Sequence, residues 1–136
     1  LQPVFMVIGV PASGKSWVCE QLTHRFSYVP NDDYIGNKGA YMSAVYRALA
    51  GPKPVLLDVP FKERELRAEL EAYGVVVHPY FVVAPVEVVK ERYAARGGGE
   101  LPKASVTRAT SIINRANEWG APYGSSSHIL SLLRQA

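Results

Sequence analysis

An α/β three-layer sandwich is the fold this sequence predicts, a parallel sheet of four or five strands with helices on both faces. Three observations predict it. Short apolar runs recur along the chain and end at glycine, proline or an acid rather than at a hairpin turn. Segments with helical periodicity lie between them. The first run leads directly into Gly9-x-x-x-x-Gly14-Lys15-Ser16, a glycine-rich turn of the kind that joins a buried strand to a helix.

PVFMVIG (3–9) is a continuous apolar run, as a strand buried on both faces requires. A helix is expected from Lys15 to about Phe26. SYVP (27–30) is a short second strand, with NDDY (31–34) at its C-terminal end. AYMSAVYRALAG (40–51) reads as a helix closed by Gly51. PVLLDVP (54–60) is a third buried strand with an acid near its C-terminal end. KERELRAELEAYG (62–74) is an amphipathic helix ending at Gly74, with Leu66, Leu70 and Tyr73 at helical spacing. VVVHPYFVV (75–83) is the fourth strand, and PVEVVKERYAAR (85–96) the next helix, with Pro85 in its first turn. GGGELP (97–102) is a flexible interruption. A further helix covers roughly 103–118, and HILSLLRQA (128–136) ends the chain as a helix or an edge strand. No repeat and no domain-sized linker divides the 136 residues, so a single domain is expected, with a flexible lid around 92–102.

Composition excludes several classes. With 48% hydrophobic and 20% charged residues, the chain is neither a disordered polyelectrolyte nor a membrane protein. No apolar run approaches the ~20 residues that span a bilayer, and no signal-peptide pattern opens the sequence. Cys19 is the only cysteine, which rules out an intrachain disulfide and a cysteine-rich metal site. It falls within the first expected helix and reads as core. His24, His78 and His128 have no ligand spacing. A cytoplasmic location is the expectation. The net charge of +3 lies wholly in residues 87–136, through Lys90, Arg92, Arg96, Lys103, Arg108, Arg115 and Arg134. Such a surface could attract DNA, and an ordinary solvated helix face accounts for it about as well.

The glycine-rich turn carries the strongest chemistry. Gly9 and Gly14 let several backbone N–H groups converge on one anion, and the following helix adds its positive dipole end. Pro11, Ala12 and Ser13 complete the loop around a nucleotide. Lys15 can reach the β- and γ-phosphates, and the Ser16 hydroxyl can bind Mg²⁺. A kinase also needs a carboxylate to orient an acceptor hydroxyl and take its proton. Asp32, Asp33 and Asp58 all fall at C-terminal strand edges, where ligands of open parallel sheets bind. Asp33 reads equally well as a turn or helix cap. Asp58 could hold Mg²⁺ through water, or simply end its strand before Pro60. Arg92 and Arg96 share a helix face, and Gly97-Gly98-Gly99 would let that helix end close over phosphates.

In order and spacing, GVPASGKSW, NDDY, LLDVP, VKERYAARG, a Leu-Pro step and NEWGAPYG resemble the kinase domain of the bacteriophage polynucleotide kinases. The similarity is collinear over nearly the whole chain and marks it as a P-loop NTPase fold. It implies ATP and Mg²⁺ as cofactors, held by Lys15 and Ser16, with Asp58 as the third-strand acid. It also implies Asp32 as general base and Arg92 and Arg96 as lid residues on the nucleotide. One position departs from the pattern. Those kinases carry an arginine directly after Asp-Asp-Tyr to grip the phosphate beside a terminal 5′-hydroxyl, and here Ile35 and Gly36 follow, with Lys38 or Arg47 as possible substitutes.

The chain is also similar to the phage 5-hydroxymethyluracil DNA kinases, which phosphorylate a primary alcohol on a base within DNA. That acceptor needs room for a base, and Tyr34 and Tyr41 are candidates to hold one, although either tyrosine could equally pack a helix on the sheet. DNA is therefore the expected partner, with the base hydroxymethyl group favoured over a 5′ end. A small-molecule kinase for a nucleotide, nucleoside or sugar is the main alternative. A nucleotide-gated binding module is a further one, disfavoured by Asp32 and the arginine pair. If phage-encoded, the protein would work in the host cytoplasm.

Overall fold

A computed structural model describes residues 1–136. Five strands form one wholly parallel sheet: β1 (Val4–Ile8), β2 (Ser27–Val29), β3 (Val55–Val59), β4 (Val77–Val82) and β5 (Tyr123–Gly124), in the order β2-β3-β1-β4-β5. Six helices connect and cover them: α1 (Lys15–Glu20), α2 (Lys38–Leu49), α3 (Glu63–Ala72), α4 (Val86–Ala95), α5 (Lys103–Glu118) and α6 (Ser126–Arg134).

The strand register explains why the runs are apolar throughout. Val4 lies beside Val55 on one side and Val77 on the other. Val4, Met6 and Ile8 face one core, with Val45 and Leu49 of α2, Leu70 of α3 and Ile112 and Ala116 of α5. Val7 and Leu56 face the opposite core, with Val18 and Cys19 of α1 and Ile129 and Leu133 of α6. Both faces of β1 and β3 are thus covered, the arrangement that selects unbroken hydrophobic runs over alternation. No helix is long and apolar enough to cross a membrane.

Several boundaries differ from the sequence expectation. α1 stops at Glu20, and residues 21–25 fold into turns through bonds such as Leu22 N–H to Cys19 O. The early stop lets Leu22 and Phe26 bury themselves beneath the sheet while the chain reverses into β2. α2 begins two residues earlier than its apolar pattern, because Asn37 caps it by accepting from the Ala40 N–H at 3.0 Å. It ends at Leu49 ahead of Gly51-Pro52, where proline disfavours helix in the preceding residue. Pro85 caps α4 from just outside it. The chain end is helix, and the fifth strand instead comes from Tyr123–Gly124, held by Phe81 N–H to Pro122 O and Val83 N–H to Gly124 O.

The strand order places β1 between β3 and β4. The chain leaves β1 toward β2 on one side of the sheet and returns from β3 to β4 across it. The crevice at such a divergence, outside the C-terminal strand ends, is where open parallel sheets bind ligands.

Candidate active site

The glycine-rich turn starts at the end of β1, where Gly9 N–H bonds Val59 O at 3.2 Å. Ala12 then adopts a left-handed conformation (φ 66°), as does Gly14 (φ 106°), the residue that caps α1. A side chain at Gly9 would lie 2.5 Å from Ser13 Oγ and 3.1 Å from Val82 O. One at Gly14 would meet Ser126 Cβ at 3.1 Å. Both glycines are therefore dictated by close approach, and a cradle remains between them. Ser13 is 2% exposed, and its buried hydroxyl has no hydrogen-bond partner. A buried polar atom without a partner, beside a helix N-terminus, fits a bound anion.

Lys15 opens α1 and is 8% exposed. Burial lowers its pKa below the usual lysine value; Asp58 and then Asp32 partly oppose that, while Arg96 adds to it. The balance locates four charged residues from four parts of the chain at one place. Asp58, 3% exposed near the end of β3, accepts the Asn31 N–H at 2.9 Å through Oδ1. Ser16 and Asp58 are the side chains here able to serve a metal ion, and no cluster of three or more His, Cys, Asp or Glu side chains stands nearby or elsewhere.

Asn31–Tyr34 forms a 3-10 turn after β2. Asp32 and Asp58 both line a cleft of about 640 Å³ between this turn and the β3–α3 connection. Both acids are exposed, but Asp32 lines that cleft and Asp33 does not, so the two neighbours are not equivalent. Tyr34 and Tyr41 meet edge to face there at 5.9 Å. Tyr41 is nevertheless a core residue of α2, and burial, with Asp58 and Cys19 nearby, raises its pKa well above the usual phenol range. Lys38 reaches the cleft mouth and pairs with Glu69 of α3 at 3.6 Å. Arg47 lies at the far end of α2, outside the cleft.

Arg92 of α4 lies over the glycine loop, its guanidinium 4.0 Å from the position of a Gly14 Cβ, and Arg96 is near enough to Lys15 to affect its charge. The segment between α4 and α5 is anchored to the loop from above: Leu101 is buried with Val10, Ala12 and Val89. Part of the remaining C-terminal positive charge is less available than the sequence suggested. Arg108 and Arg115 both bond Glu63, and Arg108 Nε also donates to Pro60 O at 2.9 Å. Lys90 pairs with Glu87. The chain folds these cations onto its own acids and carbonyls.

Some site residues were invisible in sequence. Tyr28 of β2 lies beside the Asp58 carboxylate and the Ser16 hydroxyl; burial, with Cys19 and Asp58 close by, raises its pKa well above the usual phenol range. No sequence pattern announced it; the strand register sets Tyr28 beside Leu56, two residues before Asp58. Phe61, Lys62, Glu65 and Glu69 join the cleft from the β3–α3 side. Lys62 has a left-handed backbone (φ 58°), which no sequence pattern announced.

No protein-family model and no curated protein matches the chain. Solved structures do. A tunicamycin resistance protein from Deinococcus radiodurans aligns with a TM-score of 0.63 and 17% identity, over 97% of this chain and 93% of that one. Shikimate kinase from Acinetobacter baumannii, in complex with shikimate, aligns at 0.59 and 14%, over 98% and 92%. A chain of the Pnkp1/Rnl/Hen1 RNA repair complex aligns at 0.59 and 19%, over 86% of this chain and 46% of that one. At such identities the likeness is one of fold, the five-stranded parallel α/β fold of P-loop kinases.

Proposed function

We propose that the chain is an ATP-dependent kinase that transfers the γ-phosphoryl group to an alcohol held beside Asp32. The observation that carries this reading is that Asp32 and Asp58 line one cleft, and the buried Lys15 of the glycine loop feels the charge of both carboxylates. A phosphate site alone would need no carboxylate facing it. Shikimate kinase and the RNA repair complex lend support through their shared fold.

ATP with Mg²⁺ supplies the transferable phosphoryl group and a cation that neutralises its oxygens. The backbone of Gly9–Gly14 and the orphaned Ser13 hydroxyl would cradle the phosphates, and Ser16, with Asp58 through water, would hold the cation. A polyphosphate restores to Lys15 the full charge that burial disfavours. Arg92 and Arg96 stabilise negative charge on the equatorial oxygens. Asp32 orients the acceptor hydroxyl and takes its proton as the new oxygen–phosphorus bond forms and the bond to the β-phosphate oxygen breaks. The 136 residues work as one kinase domain, with the segment around 92–102 as its lid.

Among DNA hydroxyls, the hydroxymethyl group of 5-hydroxymethyluracil suits the cleft better than a 5′ end. Tyr34, Ile35 and Phe61 offer apolar surface to a planar base, and no arginine lines the cleft. Lys38, a candidate to replace the missing grip on a terminal phosphate, is engaged by Glu69. A second reading, a free nucleoside or sugar as acceptor, is favoured by the loss of Arg108 and Arg115 from the basic surface.

The test uses γ-labelled ATP and Mg²⁺ with two duplexes, one holding internal 5-hydroxymethyluracil with blocked ends, the other unmodified with free 5′-hydroxyls, beside a panel of free nucleosides and sugars. Label in the first duplex alone establishes the base kinase. Label in the second alone makes this an end kinase, and label only in the panel makes it a small-molecule kinase. No label anywhere, with ATP still bound, overturns the kinase reading.

A further inference from the structure

The site divides its charges across the transferred group. On the nucleotide side stand Lys15, Arg92 and Arg96, all around the glycine loop. On the other side the cleft is lined by four acids, Asp32, Asp58, Glu65 and Glu69, against two lysines. Those lysines are partly committed. Lys38 pairs with Glu69, and Lys62 lies over the Phe61 ring, its Nζ 5.9 Å from the centroid. Asp58 has Lys15 as its counter-charge. Asp32 shares Lys15 with it, and Glu65 remains at the cleft with no ion pair.

The remaining wall is apolar. Ile35 is 76% exposed and Phe61 59% exposed, both on the lining, although burial would suit them better. They come from opposite sides of the cleft, the turn after β2 and the connection after β3, with Leu66 of α3 between Glu65 and Glu69. Exposed apolar surface rimmed by charge marks a place where a ligand completes the packing.

We propose that the cleft admits only alcohols that bring no phosphate with them, neutral or cationic compounds whose hydroxyl is carried on an apolar or aromatic body, and that Glu65 enforces this by repelling anionic acceptors while Glu69 holds Lys38 away from them. The proposal rests on the kinase reading and sharpens it. A base turned out of a duplex satisfies the requirement, since its phosphates stay outside, and so does a free nucleoside. A nucleoside monophosphate does not, because its charge would enter beside Glu65 and Glu69.

Three acceptors with the same hydroxymethyl group test it: 5-hydroxymethyl-2′-deoxyuridine, its 5′-monophosphate, and its 5′-amino-5′-deoxy derivative. A duplex with internal 5-hydroxymethyluracil and blocked ends is the fourth probe. Binding is measured calorimetrically to protein holding Mg²⁺ and a non-hydrolysable ATP analogue, and transfer is measured separately from labelled ATP. The monophosphate should bind at least about tenfold more weakly than the nucleoside, and the amine as tightly or more so. Replacing both acids (Glu65→Gln with Glu69→Gln) should narrow the gap to within about threefold, because it removes two charges and frees Lys38. Glu65 is exposed and Glu69 half-buried, and neither belongs to the core, so the variant should fold.

Equal or tighter binding of the monophosphate overturns the proposal, and so does a gap that the double variant leaves unchanged. Binding in the expected order without transfer to any probe upholds the charge selection and removes this hydroxymethyl group as the acceptor. Binding of the duplex alone shows affinity carried by the DNA backbone and overturns the proposal, as does binding by none of the four. Transfer to the nucleoside and to the duplex, compared, tells which source supplies the alcohol.

Discussion

The backbone N–H of Asn31 donates to Asp58 Oδ1 at 2.9 Å, and this bond joins the turn after β2 to the end of β3. It sets Asp32, one residue further on, at the cleft that Asp58 also lines. Asp58 thereby acts on both sides of the site, as counter-charge to Lys15 and as anchor of the turn. Asp58→Asn keeps an oxygen for Asn31 and should change the melting temperature by only a few degrees. Phosphoryl transfer should fall by about a hundredfold or more, with a raised Mg²⁺ requirement. Asp58→Leu should also destabilise the fold by about 1–3 kcal/mol, since it leaves the Asn31 N–H unpaired. Thermal unfolding and a Mg²⁺ titration of activity separate the two effects; a fully active Asp58→Asn enzyme would remove Asp58 from the proposed metal site.

Asp32 and Asp33 should respond differently to the same change. Asp32→Asn is expected to keep ATP binding while lowering the rate by about 10²- to 10⁴-fold, because it removes a proton acceptor and preserves shape. Asp33→Asn, at an exposed side chain outside the cleft, should remain near wild-type activity. Single-turnover rates with the working acceptor check the pair. If Asp33→Asn is the damaging substitution, the proposed roles are reversed.

Gly9→Ala places a methyl group 2.5 Å from Ser13 Oγ and 3.1 Å from the Val82 carbonyl. The serine could shift, but the carbonyl belongs to a central strand and has little freedom. Destabilisation of about 1–3 kcal/mol is expected, together with weakened ATP binding. Adding Ser13→Gly should recover part of the stability by clearing the nearer contact. Urea unfolding of both variants measures this, and an unperturbed Gly9→Ala protein would contradict the close packing of the loop.

Glu63 is held by Arg108 and Arg115 in a buried pocket below the cleft wall. Burial pushes its carboxyl up, but the bond to Arg108, the charges of both arginines and its own backbone N–H outweigh that and hold it below 4.5. A depressed carboxylate gives stability that is complete above the unfolded pKa and disappears as pH falls through the folded value. Glu63→Gln should therefore cost about 3 kcal/mol at pH 7, where it takes a carboxylate partner from both arginines, and less at a pH low enough to protonate the folded carboxyl. Denaturant titrations at both pH values supply the comparison, and a cost independent of pH would mean that packing rather than charge sets it.

Periodicity and punctuation were enough to reveal the layers. The apolar runs of β1, β3 and β4 and the amphipathic spacing of α3 follow from burial alone, so they are legible in one dimension. The short second strand was legible too, but the fifth was not: Tyr123–Gly124 has no pattern of its own and becomes a strand only because β4 offers it an edge. The end of α1 was missed for a similar reason, since Leu22 and Phe26 continue its apolar pattern while tertiary packing turns the backbone beneath them.

For the site, the division falls between local and non-local chemistry. The sequence by itself determined the glycine cradle, the lysine and serine that follow it, and the acids at strand ends, because these depend on spacing within a few residues. Tertiary structure alone decided which of two adjacent acids enters the cleft and that Tyr28 stands beside Asp58. It also decided that Arg108 and Arg115 bond Glu63, and that Glu65 and Glu69 line the cleft. Each of these rests on strand order, register or the packing of helices against the sheet. Charge and burial act through space, and the fold alone sets which distant residues come within a few ångströms of one another.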